Sequence, residues 1–159
     1  MKRILLIATG GTIACKQTAS GLAPQLGAKE LLSYVRDRAE NVESIELFRM
    51  DSSNVQPEEW RAIAQAVADN MHKADGIVIT HGTDTMAYTS SMLSFMLRGI
   101  KIPVVLTGAQ YPMGMEGSDA ARNLGDALTA ARELPAGVYI AFGGSVILGC
   151  RAVKTRTMS

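Results

Sequence analysis

The chain has little from which to build a metal or redox centre. Its two cysteines, Cys15 and Cys150, stand in no metal-ligand spacing, and His72 and His81 are its only imidazoles, so no protein-made metal site and no cofactor are expected. A disulfide between the cysteines stays open, but a chain without an export signal ordinarily keeps its thiols reduced. Charge of one sign is also missing. Lys and Arg number 16 against 15 Asp and Glu, a formal net charge of +1, which gives no basic face for nucleic acid. There is no apolar run of membrane-spanning length. Met1-Lys2-Arg3 leads straight into a strand-like run, with no small-residue cleavage site before Lys16-Gln17, so the expected location is the cytoplasm. Internal repeats and low-complexity tracts are absent as well.

What is present is an ordinary globular composition, 47% hydrophobic and 19% charged over 159 residues, enough for one domain with a substantial core. The most informative stretch is Ile4 to Ala14. An apolar run with the length and flanks of a buried strand breaks on Gly10-Gly11 and at once presents Thr12. Adjacent glycines let the backbone turn sharply, because positive φ costs them nothing. A hydroxyl just past such a turn sits where open α/β sheets hold their ligands, at the carboxyl end of a strand.

Further along, Cys15 to Gln25 is polar and broken by Gly21 and Pro24, which predicts an exposed, mobile loop beside Thr12. A short helix is expected near Ala28 to Val35, and a strand with a change of phase over Val42 to Met50. Pro57 with Glu58 and Glu59 marks a helix start, and Trp60, Ile63, Ala64, Val67 and Met71 recur at helical spacing. Gly76 to Ile79 is a buried strand that runs into Thr80-His81-Gly82-Thr83-Asp84-Thr85. A helix follows, with Met86, Leu93, Met96 and Leu97 on one stripe. Ile102 to Leu106 is the next strand, ending in Thr107-Gly108-Ala109; Ser118 caps a helix to about Glu133. Val138 to Phe142 and Val146 to Leu148 flank Gly143-Gly144 as a hairpin.

Strands alternating with amphipathic helices imply a three-layer α/β domain. Its sheet is mainly parallel and flavodoxin-like, with helices on both faces and a terminal hairpin. The loops after successive strands then open on one edge. Gly10 to Thr12, Asp51 to Ser53, Thr83-Asp84 and Gly108-Ala109 are expected to meet there.

Each cluster taken alone has a plain reading. Gly10-Gly11-Thr12 can be a tight turn with a packed threonine. It has neither the third glycine of a dinucleotide fingerprint nor the lysine of a phosphate-binding P-loop. Ser52 and Ser53 can be turn residues, Asp84 a helix cap, His81 a hydrogen-bonded structural histidine and Lys154 a solvated charge. Their conjunction points further. Two threonines, an aspartate and serine hydroxyls at one edge, with few aromatics, make a small polar pocket suited to a zwitterionic amino acid. A carboxylate such as Asp84 can pair an α-ammonium, while serine hydroxyls and backbone N–H groups can hold an α-carboxylate.

The same residues carry a family resemblance. Thr9-Gly10-Gly11-Thr12-Ile13-Ala14 and Thr80-His81-Gly82-Thr83-Asp84-Thr85-Met86 resemble the two signature motifs of the bacterial-type L-asparaginases, and the match runs in register over essentially the whole chain. With no export signal, the resemblance is to the cytoplasmic (type I) branch. It implies hydrolysis of L-asparagine to L-aspartate and ammonia through an acyl-enzyme on Thr12, with Thr83, Asp84 and Lys154 completing the catalytic set. It also implies substrate contacts from Gly11, Asp51, Ser52, Ser53, Thr83, Asp84 and Ala109, with no metal, and a homodimer or homotetramer when full length. Which member of the Thr83, Asp84 and Lys154 group accepts a proton stays open. Lys154 can do so only when neutral, which burial favours and a carboxylate neighbour opposes.

Two departures from the family pattern stand out. The family places a tyrosine in the loop after the nucleophile, whereas Ser20-Gly21-Leu22-Ala23-Pro24 offers Leu22, and no tyrosine occurs between Thr12 and Tyr34. Family members are also longer, with a second, smaller C-terminal domain that closes a neighbour's site. Residues 1–159 therefore read as the N-terminal domain without that partner, and weak or absent activity is expected of them alone. Two other readings stand beside it: the glutaminase-like subunit of a tRNA-dependent amidotransferase, which shares both motifs, and a non-catalytic small amino-acid-binding domain on a flavodoxin-like sheet, which needs Thr12 only for packing.

Overall fold

The computed structural model describes residues 1–19, 21–24, 26–50 and 56–151. Six strands form the main sheet: β1 (Ile4–Gly10), β4 (Val42–Met50), β5 (Gly76–Thr80), β6 (Pro103–Thr107), β7 (Gly137–Phe142) and β8 (Ser145–Leu148). Their spatial order is β4-β1-β5-β6-β7-β8. The first five pair in parallel, and β8 returns antiparallel to β7 as the expected hairpin, with Phe142 opposite Ser145. Counting only the parallel strands in chain order, the arrangement is the flavodoxin-like 2-1-3-4-5, which places the topological switch between β1 and β5.

The strands are central because they are apolar on both faces. Every residue of β1, β5 and β6 is buried. Leu6, Ala8, Val78 and Val105 turn to one face, where α1 (Ala28–Ser33) and α4 (Ala120–Glu133) supply Leu31, Leu124 and Leu128. Ile7, Ile77, Ile79 and Leu106 turn to the other, against Ile63 and Val67 of α2 (Pro57–Asn70) and Leu93 of α3 (Met86–Met96). This alternation is what period-two side-chain direction demands of a sheet covered twice.

The helix placement also sets the hand of each crossover. From β1 to β4 the chain moves one way along the sheet over the α1 face. From β4 to β5 and from β5 to β6 it moves the other way over the opposite face, so these three connections share one hand. From β6 to β7 it keeps that second direction but passes over the α1 face on α4, which is the opposite hand. Since parallel crossovers are right-handed in about 98% of cases, β6-α4-β7 is the left-handed exception. Its consequence is local. The segment after β6 is drawn across the carboxyl edge toward β1, where the Met113 N–H donates to the Ile13 carbonyl at 3.2 Å.

Several local expectations are corrected. Cys15 to Pro24 is not a plain loop; β2 (Cys15–Thr18) and β3 (Gly21–Pro24) form an antiparallel ribbon of their own, closed by the Thr18 hydroxyl on the Gly21 carbonyl at 2.5 Å. Gly21, read as a breaker, provides the turn. The first helix stops at Ser33 rather than Val35. Met96 leaves the α3 stripe and is 39% exposed, because the helix ends there and Leu97 takes the buried position. Helix α3 is entered through Thr85, so Asp84 is not its N-cap. The phase change in β4 is present, since pairing with β1 slips between Ala8 and Gly10.

Candidate active site

The carboxyl ends of the strands are laced to one another. The Thr9 hydroxyl at the end of β1 donates to the Thr80 carbonyl of β5 at 2.6 Å. The His81 N–H donates to the Thr107 carbonyl of β6 at 2.8 Å, and the Thr107 hydroxyl donates to the Ala141 carbonyl of β7 at 2.7 Å. All of these polar residues are buried, and the Thr9 and Thr107 hydroxyls make their hydrogen bonds, whereas the Thr80 hydroxyl has no partner among the described residues. Threonine serves here because one side chain is both β-forming and able to reach a neighbouring strand's carbonyl.

Above this lacing the loops come together. Gly10 and Gly11 both take positive φ, 100° and 86°, which turns the chain off β1. Gly11 packs against the backbone of His81 and Gly82 so closely that a Cβ on it would lie 2.6 Å from the Gly82 nitrogen. Gly108 likewise leaves no room for a side chain between itself and the His81 carbonyl, and its free face meets the Thr83 methyl group. Three of the expected clusters therefore converge, at the switch between β1 and β5.

Thr12 opens a single 3-10 turn, Thr12–Ala14, and is half-buried. Its neighbours are fixed: Ile13 and Ala14 are buried, and the Leu26 N–H donates to the Ala14 carbonyl at 2.9 Å. The Cys15 thiol lies 3.3 Å from the Gly11 carbonyl. Thr83 is half-buried, Asp84 exposed, Gly11 buried and Ala109 only 1% exposed. Asp51, Ser52, Ser53 and Lys154 lie outside the described residues. Leu22, on β3 opposite Gln17, is 50% exposed.

His81 is not a free base. It is fully buried, with Nδ1 at 2.7 Å from the Gly82 carbonyl and Nε2 at 3.0 Å from the Thr89 hydroxyl, which receives the Trp60 indole N–H at 2.9 Å. A carbonyl can only accept, so Nδ1 carries the proton and Nε2 accepts from Thr89. Burial pushes the imidazole below its ordinary 6.5, partly opposed by the Gly82 carbonyl. It is a neutral brace that ties α2 and α3 to the loop beside Gly11.

The residues that hold the third loop escaped the sequence reading. Asp119 accepts the N–H groups of Gln110 and Tyr111 at 3.0–3.1 Å, and Asn123 donates to the Gly108 carbonyl at 2.9 Å. The available signal was a polar pair one turn apart at the start of an otherwise apolar helix face. A groove of about 470 Å³ lies at the other end of the sheet, lined by Arg3, Asn41, Glu43 and Lys73 among others. It is remote from the converging loops. Among the described residues no cluster of His, Cys, Asp or Glu has the makings of a metal site, and no helix is long and apolar enough to cross a membrane.

Comparison with known proteins agrees with this geometry. The asparaginase N-terminal domain family matches residues 3–159. An L-asparaginase from Thermococcus kodakarensis is 45% identical over 98% of this chain and 48% of its own length. The solved thermostable L-asparaginase from Thermococcus kodakarensis superposes with a TM-score of 0.92, covering 99% of this chain and 49% of that one. L-asparaginase I from Vibrio cholerae gives 0.87 at 37% identity, covering 99% of this chain and 49% of that one. A glutamyl-tRNA(Gln) amidotransferase subunit from Methanococcus vannielii is 36% identical over 92% of this chain and 35% of its own length. The chain thus spans half or less of these relatives. With the family matched from end to end and the fold shared at this level, the chain belongs to the asparaginase family, as its N-terminal domain.

Proposed function

We propose that the protein is an amidohydrolase that converts L-asparagine to L-aspartate and ammonia, with Thr12 as nucleophile. The observation that supports this most is the position of Thr12: half-buried, at the switch point, and directly after a glycine packed on Gly82, the residue that precedes Thr83. In this reading the Thr12 hydroxyl attacks the side-chain carbonyl carbon as its proton leaves. The C–N bond breaks, the nitrogen takes up a proton and departs as ammonia, and an aspartyl ester remains on Thr12. Water then attacks the ester, releasing aspartate and restoring the hydroxyl. Dividing one hard step into two easier ones is the gain from covalent catalysis.

Thr83, Asp84 and Lys154 form the proton-transfer group. Asp84 also pairs the substrate ammonium, Ser52 holds its carboxylate, and Asp51 and Ser53 complete that wall. Backbone groups at Gly11 and Ala109 face the side-chain amide, where N–H donors stabilise the developing oxyanion. The acting species is a soluble cytoplasmic homo-oligomer that includes the family's C-terminal domain, and residues 1–159 alone release ammonia poorly. Ammonia release from asparagine by the intact gene product tests the reading. Thr12→Ala should abolish it while leaving the fold and its melting temperature unchanged, and retained turnover refutes the nucleophile.

The 36% identity to a tRNA-dependent amidotransferase component favours a second reading, a glutaminase-like subunit serving such amidation. Glutamine hydrolysis that greatly exceeds asparagine hydrolysis would favour it.

A further inference from the structure

The start of the loop after β6, around Ala109, is gripped by two side chains at the amino end of α4, Asn123 and its N-cap Asp119. Asn123 is 1% exposed, and its amide is fully used. Nδ2 donates to the Gly108 carbonyl at 2.9 Å and to Asp119 Oδ2 at 3.1 Å, and Oδ1 accepts the Gly143 N–H at 3.1 Å. The orientation of the amide is unambiguous, since a carbonyl and a carboxylate accept and a backbone N–H donates. Asp119 in turn takes the N–H groups of Gln110, at 3.0 and 3.1 Å, and Tyr111, at 3.1 Å.

Together these bonds pin both peptide units that flank Ala109. In a trans peptide the C=O and N–H point in opposite directions. The Gly108 carbonyl is turned to Asn123, so the Ala109 N–H of the same plane points the other way. The Gln110 N–H is turned to Asp119, so the Ala109 carbonyl points the other way too. The clasp therefore directs both polar groups of Ala109 away from α4, while Gly108 packs against His81 and Thr83 at the converging loops.

We propose that Asn123 and Asp119 are positioning residues that aim the Ala109 peptide groups at the substrate's side-chain amide, and that Asn123 couples this aim to the β7–β8 turn through Gly143. The inference rests on the function proposed above. Neither residue touches substrate. The substrate's ammonium and carboxylate are bound from other loops, so loss of the clasp should fall on kcat and spare KM. A misplacement of about 1 Å near reacting atoms costs on the order of 10²-fold in rate.

Asn123→Asp tests this in the intact gene product. It keeps the size and the acceptor for Gly143 but sets an oxygen against the Gly108 carbonyl and Asp119. We expect kcat for asparagine to fall at least about tenfold with KM within about threefold. Leu128→Val, on the same helix and fully buried, should lower the melting temperature without moving kcat by more than about twofold. Asp119→Asn should reproduce the kcat loss, and it decides alone where Asn123→Asp does not fold. Wild-type turnover with both clasp variants within about twofold of it overturns the inference and leaves the proposed function standing. So does a loss carried by KM, or one that Leu128→Val shares. A wild type that releases no ammonia overturns both.

Discussion

Gly11 and Gly82 meet backbone to backbone: a Cβ on Gly11 would lie 2.6 Å from the Gly82 nitrogen and 2.7 Å from its Cα. The contact joins the loop that presents Thr12 to the loop that presents Thr83, and neither chain can retreat, because each leaves a strand laced to its neighbour.

Gly11→Ala should therefore be costly twice. The residue sits at φ 86°, where an L side chain costs about 1–2 kcal/mol, and overpacking against backbone adds about 1–3 kcal/mol. A melting-temperature loss on the order of 10 °C is expected, with ammonia release falling further than the stability change explains. Unchanged stability and turnover would show that the loops are not in contact.

Protonation of His81 should weaken the fold on the acid side. Its folded-state pKa is lowered from 6.5, so the unfolded chain binds the proton more readily. The stabilisation is complete above about pH 6.5 and is lost as pH falls below that toward the depressed folded value. Asp75 is also lowered, from 3.8, and so acts only in more acid solution. Melting temperature measured between pH 8 and 5 should drop in the wild type and be flatter in His81→Gln. Because both ring nitrogens already serve structural partners, His81→Gln should keep turnover within about tenfold. A larger kcat loss in a folded variant would make His81 part of the chemistry.

Leu22→Tyr asks whether the ribbon has lost a proton-transfer role. At 50% exposure on a two-stranded ribbon, the change should cost under about 0.5 kcal/mol. We expect kcat to rise in the intact gene product. A tyrosine that leaves kcat unchanged would mean that another group already activates Thr12.

Much of this architecture is visible in the residues themselves. The runs Ile4 to Ile7, Ile77 to Ile79 and Val104 to Leu106 are apolar without alternation, which only strands buried on both faces require, and they form the centre of the sheet. The Gly-Gly-Thr and Gly-Thr-Asp clusters stand at the strand ends, and a parallel sheet brings such ends to one edge. Three-dimensional pairing is harder to see. The ribbon at Cys15 to Pro24 depends on Gly21 making a reverse turn, and its polar composition reads equally as a loop. The hand of β6-α4-β7 cannot be inferred, because α4 is amphipathic whichever face it covers. Asp119 and Asn123 look like ordinary helix-start polarity until Gly108 and Gln110 are seen to lie beside them.

The lacing of the strand ends has a further effect. Thr9, His81 and Thr107 fasten neighbouring strands at the edge that carries the loops, independently of the aliphatic layers beneath. Those layers are thereby insulated from the loops above them. Volume-conserving exchanges among Leu6, Ile7, Ile77 and Val104 can retune heat tolerance over successive generations while the converging loops keep their spacing. A fold built this way can drift between cold and hot habitats through its interior alone.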